Sequence, residues 1–267
     1  EGISSVEGGQ RVFDERYWVQ ERVFGDVGPI VLVEPLMKYY ELTGDTDALN
    51  FCEGIIKWSM DPDTNFIDSE YRFSGSLRGL AAAISAITRF AATTSDDKLL
   101  SRCDLMVRSA TKLITSYGAT PDTEPCCTNR ELTAAAVVLA RRGHTHYWDD
   151  VERWFRNQTI ECQFLDPKLL ASGSSSGEPG PCDDDRDIIN RSIGGFSWAT
   201  ARERDVGARR LMLCCGGNAM CTLGAILCGI TTEDAGELCV NLHFCADTNL
   251  ASVTCHEPFI GRIEVSP

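Results

Sequence analysis

The sequence predicts a mainly α protein made of helical hairpins, stacked or circularised into an α-solenoid or α/α toroid, that turns to β-structure near its C-terminal end. Three observations carry this reading. Apolar residues recur at spacings of three and four over long stretches. The breaks between paired stretches lie roughly fifty residues apart, a period typical of stacked helical hairpins. After Gly236 the apolar period falls from about 3.6 residues to about 2.

The first hairpin runs from Pro29. Ile30, Leu32, Val33, Leu36, Met37 and Tyr40 form one apolar stripe of a helix to Thr43, with Pro35 placed to kink it. Gly44 is a C-cap candidate and Asp45 or Thr46 the next N-cap, before Ala48, Phe51, Cys52, Ile55, Ile56 and Trp58 resume the stripe. Leu80 to Thr93 and Leu99 to Ile114 repeat the pattern around Thr94-Ser95-Asp96. Leu132 to Arg141 and a helix carrying Trp148, Val151, Trp154 and Phe155, ending near Phe164, repeat it around Arg142-Gly143-His144. A Ser, Gly and Pro-rich stretch to Asp183-Asp184-Asp185 reads as a surface loop, as does Gly194 to Trp198. Asn218 to Ile230 is helical again, and Leu238, Val240, Leu242 and Phe244, then Ile260, Ile263 and Val265, read as strand. Residues 1–235 are therefore expected to form the helical domain and residues 236–267 a β-segment too short to close a sandwich.

Composition narrows the function classes. The chain has 267 residues, 43% apolar and 24% charged, enough for a sizeable core. Its richest apolar stretch, Leu77 to Thr94, carries Arg78 and Arg89, so no membrane span is expected. A net charge of −14 repels phosphate backbones and anionic lipid, which argues against nucleic acid or a membrane surface as partner. The start at Glu1, without initiator Met, signal peptide or transit segment, reads as a chain processed, trimmed or cut from a longer one.

Cysteine is the unusual component. Thirteen cysteines are an odd number, which a fully paired framework cannot absorb but a metal-thiolate site can. Cys214-Cys215 opens the last helix, and Glu124-Pro125-Cys126-Cys127 opens the helix beginning near Asn129. Helix N-termini favour anions, so thiolates are expected to be stabilised at both places. Three thiolates and a carboxylate make a sound tetrahedral zinc set. Buried structural cysteines are the alternative.

At these residues the chain resembles a known family, the β-L-arabinofuranosidases of glycoside hydrolase family 127. Glu124-x-Cys126 is similar to its Glu-Thr-Cys motif, and Asp150-Val151-Glu152-Arg153 with Asn157 to its Glu-Arg-x-x-x-Asn helix. Leu213-Cys214-Cys215-x-x-Asn218 is similar to its Cys-Cys-x-x-Asn segment, and Leu238-Cys239-Val240-Asn241-Leu242 to its leucine-tyrosine-valine-asparagine-leucine strand. The resemblance implies an (α/α)6 barrel, here incomplete, followed by the start of a β-sandwich. It also implies zinc held by Glu124, Cys126, Cys214 and Cys215. Cys214 would be the nucleophile in retaining hydrolysis of a terminal furanoside, and Glu152 a contact to sugar hydroxyls. The carbohydrate partner would be a furanoside glycan.

The chain departs from the family in two places. Counting back to the family's general acid reaches Arg108, in a helix; Asp122 is the nearest loop carboxylate. Ser74-Gly75-Ser76 stands where the family has His-Gly-His. A catalytically inactive carbohydrate-binding or assembly protein, its cysteines in disulfides or a structural zinc, is the competing reading. A thiol redox enzyme is disfavoured because no Cys-x-x-Cys occurs.

Asn157-Gln158-Thr159 and Asn190-Arg191-Ser192 are glycosylation triplets, meaningful only for a secreted protein. Zinc thiolates point to a cytoplasmic compartment; paired cysteines with glycosylated triplets point to an extracellular one. The oligomeric state, homo-oligomer or monomer, is left open. Asp183 to Asp185 reads as a solvated loop, and Trp148 and Trp154 as core.

Overall fold

A proline decides where the first helix begins. Pro35 has no N–H for the carbonyl four residues back, so an α-helix cannot run through it from Pro29 with its hydrogen bonds intact. The computed structural model describes residues 6–7, 10–11, 25–61, 63, 67, 77–120, 125–168, 187–196, 213–257 and 259–266. There Gly25–Leu32 is a 3-10 helix and helix α1 spans Val33–Thr43. Pro35 thus falls in the first turn of α1, where N–H groups have no intrahelical acceptor, and marks a helix start instead of a kink.

The turn chemistry follows the sequence. Gly44 closes α1 in the left-handed region at φ 72°, its N–H bonded to the Tyr40 carbonyl. Asp45 then caps helix α2 (Thr46–Ser59), its carboxylate accepting from the Asp47 N–H at 2.9 Å. Helix α3 (Leu77–Thr94) ends at Ser95, and Asp96 caps helix α4 (Asp97–Thr111) by accepting from the Leu99 N–H at 3.0 Å. Two short strands, β1 (Val6–Glu7) and β2 (Gln10–Arg11), pair antiparallel.

The chain divides into two compact units, Glu1–Leu113 and Ile114–Pro267. In the first, α3 is buried along most of its length through Leu80, Ile84, Ile87 and Phe90, and α1, α4 and the 3-10 helix pack against it. Ala81, Ala83, Ala86 and Ala91 keep its surface low enough for close approach. Among the described residues no helix is long and apolar enough to cross a membrane.

In the second unit, helix α5 spans Pro125–Arg141 and helix α6 Tyr147–Trp154. The chain continues from α6 through a π-helical turn, Phe155–Thr159, into a 3-10 turn, Ile160–Cys162. A short helix α7 (Ile188–Ser192) and the long helix α8 (Leu213–Gly229) follow. Both α5 and α8 start earlier than the apolar stripes suggested. Their first turns carry cysteines and polar residues, the buried Thr128 and Asn129 in α5 and the half-buried Asn218 in α8, which have no place in an apolar period. Pro125 occupies the first position of α5, where a missing N–H costs nothing.

Helix α5 packs against both α6 and α8. A buried amide network ties its first turns to the π turn. The Asn129 side-chain carbonyl accepts from the hydroxyls of Thr133 at 3.3 Å and Thr159 at 3.1 Å, and its NH2 donates to the Trp154 carbonyl at 3.4 Å. Gln158 accepts from the Thr120 N–H at 2.6 Å and donates to the Thr120 hydroxyl at 3.0 Å. Trp148 and Trp154 are core residues, as expected. Trp148 lies so close to the end of α8 that a Cβ on Gly229 would sit 2.9 Å from its ring.

The strands that follow are antiparallel. β3 (Thr231–Asp234) pairs with β4 (Glu237–Val240) across a two-residue turn in which Ala235 and Gly236 both have positive φ. Gly236 is therefore at the tip of a hairpin, and the C-terminal run of strands begins at Thr231. β5 (Ala246–Asp247), β6 (Ser252–Cys255) and β7 (Ile263–Ser266) form a three-stranded sheet. The protein is mainly helical with a small antiparallel sheet at its C-terminus.

Two stability predictions follow from burial. In the first unit the fully buried Cys103 thiol is pushed up to about 11 by desolvation. Because the folded value lies above the unfolded one, the neutral thiol's stabilisation is complete below pH about 9 and is lost as pH rises to about 11. Denaturant titrations at both ends of that range should show Cys103→Ala losing less stability with pH than the parent, by roughly 2–3 kcal/mol. In the second unit, Asn129→Ala should cost about 1–3 kcal/mol in the same assay, because Thr133 and Thr159 lose a buried acceptor.

Candidate metal centre

The first turns of α5 and α8 bring cysteine sulfurs together. Cys127 Sγ lies 4.0 Å from Cys215 Sγ, and Cys215 Sγ lies 3.9 Å from Cys214 Sγ. The three sulfurs all lie within 4.8 Å of one another, a group that can hold a metal ion. Asn218, one turn further along α8, donates from its side-chain NH2 to Cys127 Sγ at 3.2 Å. Such a hydrogen bond to a ligand sulfur orients it and tempers its charge. Cys127 and Cys215 are buried, whereas Cys214 is exposed.

The donor set suits zinc or another borderline-soft cation: three sulfurs, two of them shielded from water, carried on the first turns of two helices. The expected set differs in one member. Glu124 and Asp122 lie outside the described residues, while Cys214 and Cys215 are in the group and its third thiol belongs to Cys127, not Cys126. Consecutive helical residues point about 100° apart; Cys214 and Cys215 are both within reach of the group, whereas Cys126, next to Cys127 on α5, has its own sulfur partner. Cys126 instead meets the thiol of Cys162, in a buried cluster with Phe196 and Ala219.

Electrostatics also departs from the expectation of stabilised thiolates. Contact with the Cys127 thiol, then burial, pushes Cys215 well above the ordinary thiol range; contact with Cys162, then burial, does the same to Cys126. A helix N-terminus contributes only partial charge, and here desolvation and neighbouring sulfur outweigh it. The protons leave when a cation supplies the missing positive charge. Metal uptake by this group would therefore release protons, and its affinity would fall as pH falls.

Glu152 lies elsewhere in the second unit. One oxygen accepts from Arg156 Nε at 2.7 Å and the other from the His243 backbone N–H at 2.8 Å. His243 Nδ1 lies 3.3 Å from a Glu257 carboxylate oxygen, and Glu152, His243 and Glu257 form a second group whose ligand atoms lie within 4.8 Å of one another. The sequence gives no sign of this group, because its members come from α6, from the segment after β4 and from the turn after β6. Arg156 stands against Glu152 and already neutralises it, so this group is an ion-pair network before it is a cation site.

Other expected features resolve simply. The half-buried Asn157 donates from its side-chain NH2 to the Tyr117 carbonyl at 2.6 Å, and Thr159 at the other end of that glycosylation triplet is buried on Asn129. Asn190 is exposed, its side chain bonded to Asp187. His256 lies 3.1 Å from Glu264. The Ser74 to Ser76 segment, the Asp183 to Asp185 run and Trp198 lie outside the described residues.

No family model, curated protein or solved structure matches this chain.

The site makes a discriminating prediction. Cys127→Ala should lower zinc affinity by at least tenfold in a competition titration with a chromogenic chelator, through loss of one ligand. Cys126→Ala should leave it within about twofold, since its thiol faces Cys162.

Proposed function

We propose that the protein is a glycoside hydrolase-like protein of the family it resembles, glycoside hydrolase family 127. It acts with retention on terminal β-L-arabinofuranosides or related sugars, using a zinc-held cysteine. The observation that supports this reading is the convergence of Cys127, Cys214 and Cys215, with Cys214 the exposed member. Its helices would belong to an (α/α)6-barrel-like toroid and its C-terminal strands to the start of a β-sandwich.

Zinc, when bound, keeps the thiols ionised at neutral pH. The chain's own groups carry the rest. The Cys214 sulfur attacks the anomeric carbon as the bond to the leaving oxygen breaks, and that oxygen takes a proton from an acid. Water then attacks the same carbon, the acid's conjugate base accepts its proton, and sulfur departs. Two inversions give retention. Buried Cys127 and Cys215 stay protected by their surroundings, and Asn218 holds Cys127 in orientation. By the resemblance Glu124 completes the ligand set and Glu152 contacts sugar hydroxyls; Asp122 is the nearest loop carboxylate for the acid.

One observation favours a second reading, a catalytically inactive carbohydrate-binding or assembly protein with a structural zinc. Both Glu152 oxygens are already taken, by Arg156 and by the His243 backbone, which leaves little of the carboxylate for a sugar.

The deciding measurement is metal content with a free-thiol count on protein purified without chelator, followed by hydrolysis of a nitrophenyl β-L-arabinofuranoside. The enzyme reading expects one zinc per chain and turnover that Cys214→Ser reduces by at least a thousandfold, the loss typical of a removed nucleophile. Zinc without turnover would select the second reading. No zinc, with Cys127 and Cys215 in disulfides, would remove both the thiolate mechanism and the structural-zinc form of the alternative.

A further inference from the structure

The segment between β4 and β5 is pinned residue by residue to the end of α8, to α6 and to the π turn that follows it. Asn241 donates from its backbone N–H to the Ile230 carbonyl at 2.8 Å and from its side chain to the Gly229 carbonyl at 3.1 Å. Leu242 is fully buried. His243 donates its N–H to Glu152 at 2.8 Å, and its carbonyl accepts from the Arg156 guanidinium at 2.5 Å. Phe244 meets Phe155 edge to face at 5.4 Å, and the Arg156 guanidinium lies over its ring at 4.3 Å.

Cys245 comes next, immediately outside the ladder that pairs Ala246 with Val253. Its thiol takes the place of a strand partner for Cys255: Sγ accepts from the Cys255 N–H at 3.2 Å and donates to the Cys255 carbonyl at 3.3 Å. The sulfur thus lies against the backbone of the other cysteine itself. Cys245 is exposed and Cys255 partly so, which leaves the pair open to a reagent in solution, unlike the buried thiols of the helical core.

We infer that Cys245 and Cys255 are a redox-active dithiol whose disulfide clamps the β4–β5 segment across α6. The oxidant is a small-molecule disulfide such as oxidised glutathione. Cys245 sulfur, as thiolate, attacks one sulfur of the oxidant, forming a mixed disulfide and releasing one glutathione thiolate. Cys255 thiolate then attacks the Cys245 sulfur, forming the internal bond and releasing the second glutathione. The two protons lost by the cysteines end on the two glutathiones, and the two electrons reduce the oxidant. The closed ring spans β5 and β6, so it fixes Cys245 to the sheet and, through it, the backbone of His243 and Phe244 against Glu152, Arg156 and Phe155. The inference does not depend on the metal centre, since none of the three metal-group cysteines takes part.

The test uses the full chain in glutathione buffers of increasing oxidised fraction, quenched with N-ethylmaleimide and cut by an aspartate-directed protease at Asp247. Peptides carrying Cys245 and Cys255 should be found joined to each other, and reduction should part them. In Cys255→Ser, Cys245 should instead accumulate the glutathione adduct. Amide hydrogen exchange at His243 and Phe244 should slow by about ten- to a hundredfold in the oxidised form, the range set by closing so short a loop. Cys245 stopping at the adduct in the parent chain, joined to another cysteine, or still reduced when exposed Cys214, Cys221 and Cys228 have reacted would overturn the pairing. A joined pair with unchanged exchange would overturn the clamp. Zinc content is read in parallel: loss of the pair with zinc retained, or the reverse, separates this inference from the proposed function.

Discussion

The second unit depends on a single requirement, that polar groups buried between α5 and the π turn be paired. Asn129 sits in the second turn of α5 with almost no exposure, and an amide there without partners would cost more than the helix packing around it can spare. Its partners come from Thr133 on the same helix and from Thr159 and Trp154 at the end of α6. Satisfying it fixes the rotation of α5 and the point at which α6 changes from α to π geometry. The π turn supplies the residue that lets Gln158 and Thr159 both reach inward, toward Thr120 and Asn129.

That rotation decides the sulfur chemistry. Cys127 precedes Asn129 by half a turn, so the orientation that pairs Asn129 also sends the Cys127 thiol to α8 and the Cys126 thiol to Cys162. Both thiol neighbourhoods are dry, and dry thiols resist ionisation. Within the group Cys214 is the exposed sulfur, while Cys127 and Cys215 are buried. The same burial would make metal binding at this group and proton release one event.

Other residues at this end of α6 and in the π turn meet different constraints. Arg156 is used three ways, by the Glu152 carboxylate, the His243 carbonyl and the Phe244 ring, a concentration of contacts that a planar guanidinium accommodates and an ammonium would not. These contacts hold a segment that has no ladder of its own, and Cys245 ends it by serving Cys255 as a backbone partner would. Where a strand stops short, a side chain has taken over its hydrogen bonds.

Much of the fold was legible in the sequence because it rests on local chemistry. Gly44, Asp45 and Asp96 mark helix ends through their own backbone freedom or their own side-chain oxygens, and nothing distant is needed for that. The hairpin grammar and the helical stripes were local in the same sense, as was the approach of two cysteine-bearing helix starts as candidates for one site. The apolar stripes of α5 and α8 began late, at Leu132 and near Asn218, because the first turns carry polar and sulfur groups that break an apolar period; the cysteine pairs were the better markers of both starts. Gly236 misled for a related reason: a change of period shows where alternation becomes visible, while the hairpin also includes the more polar strand before it. Which of two adjacent cysteines faces α8, that Cys162 receives the other, and that Glu152, His243 and Glu257 meet were decided only by the tertiary structure. Each is a matter of helix rotation and of segments far apart in sequence, and those are set by which buried groups must find partners.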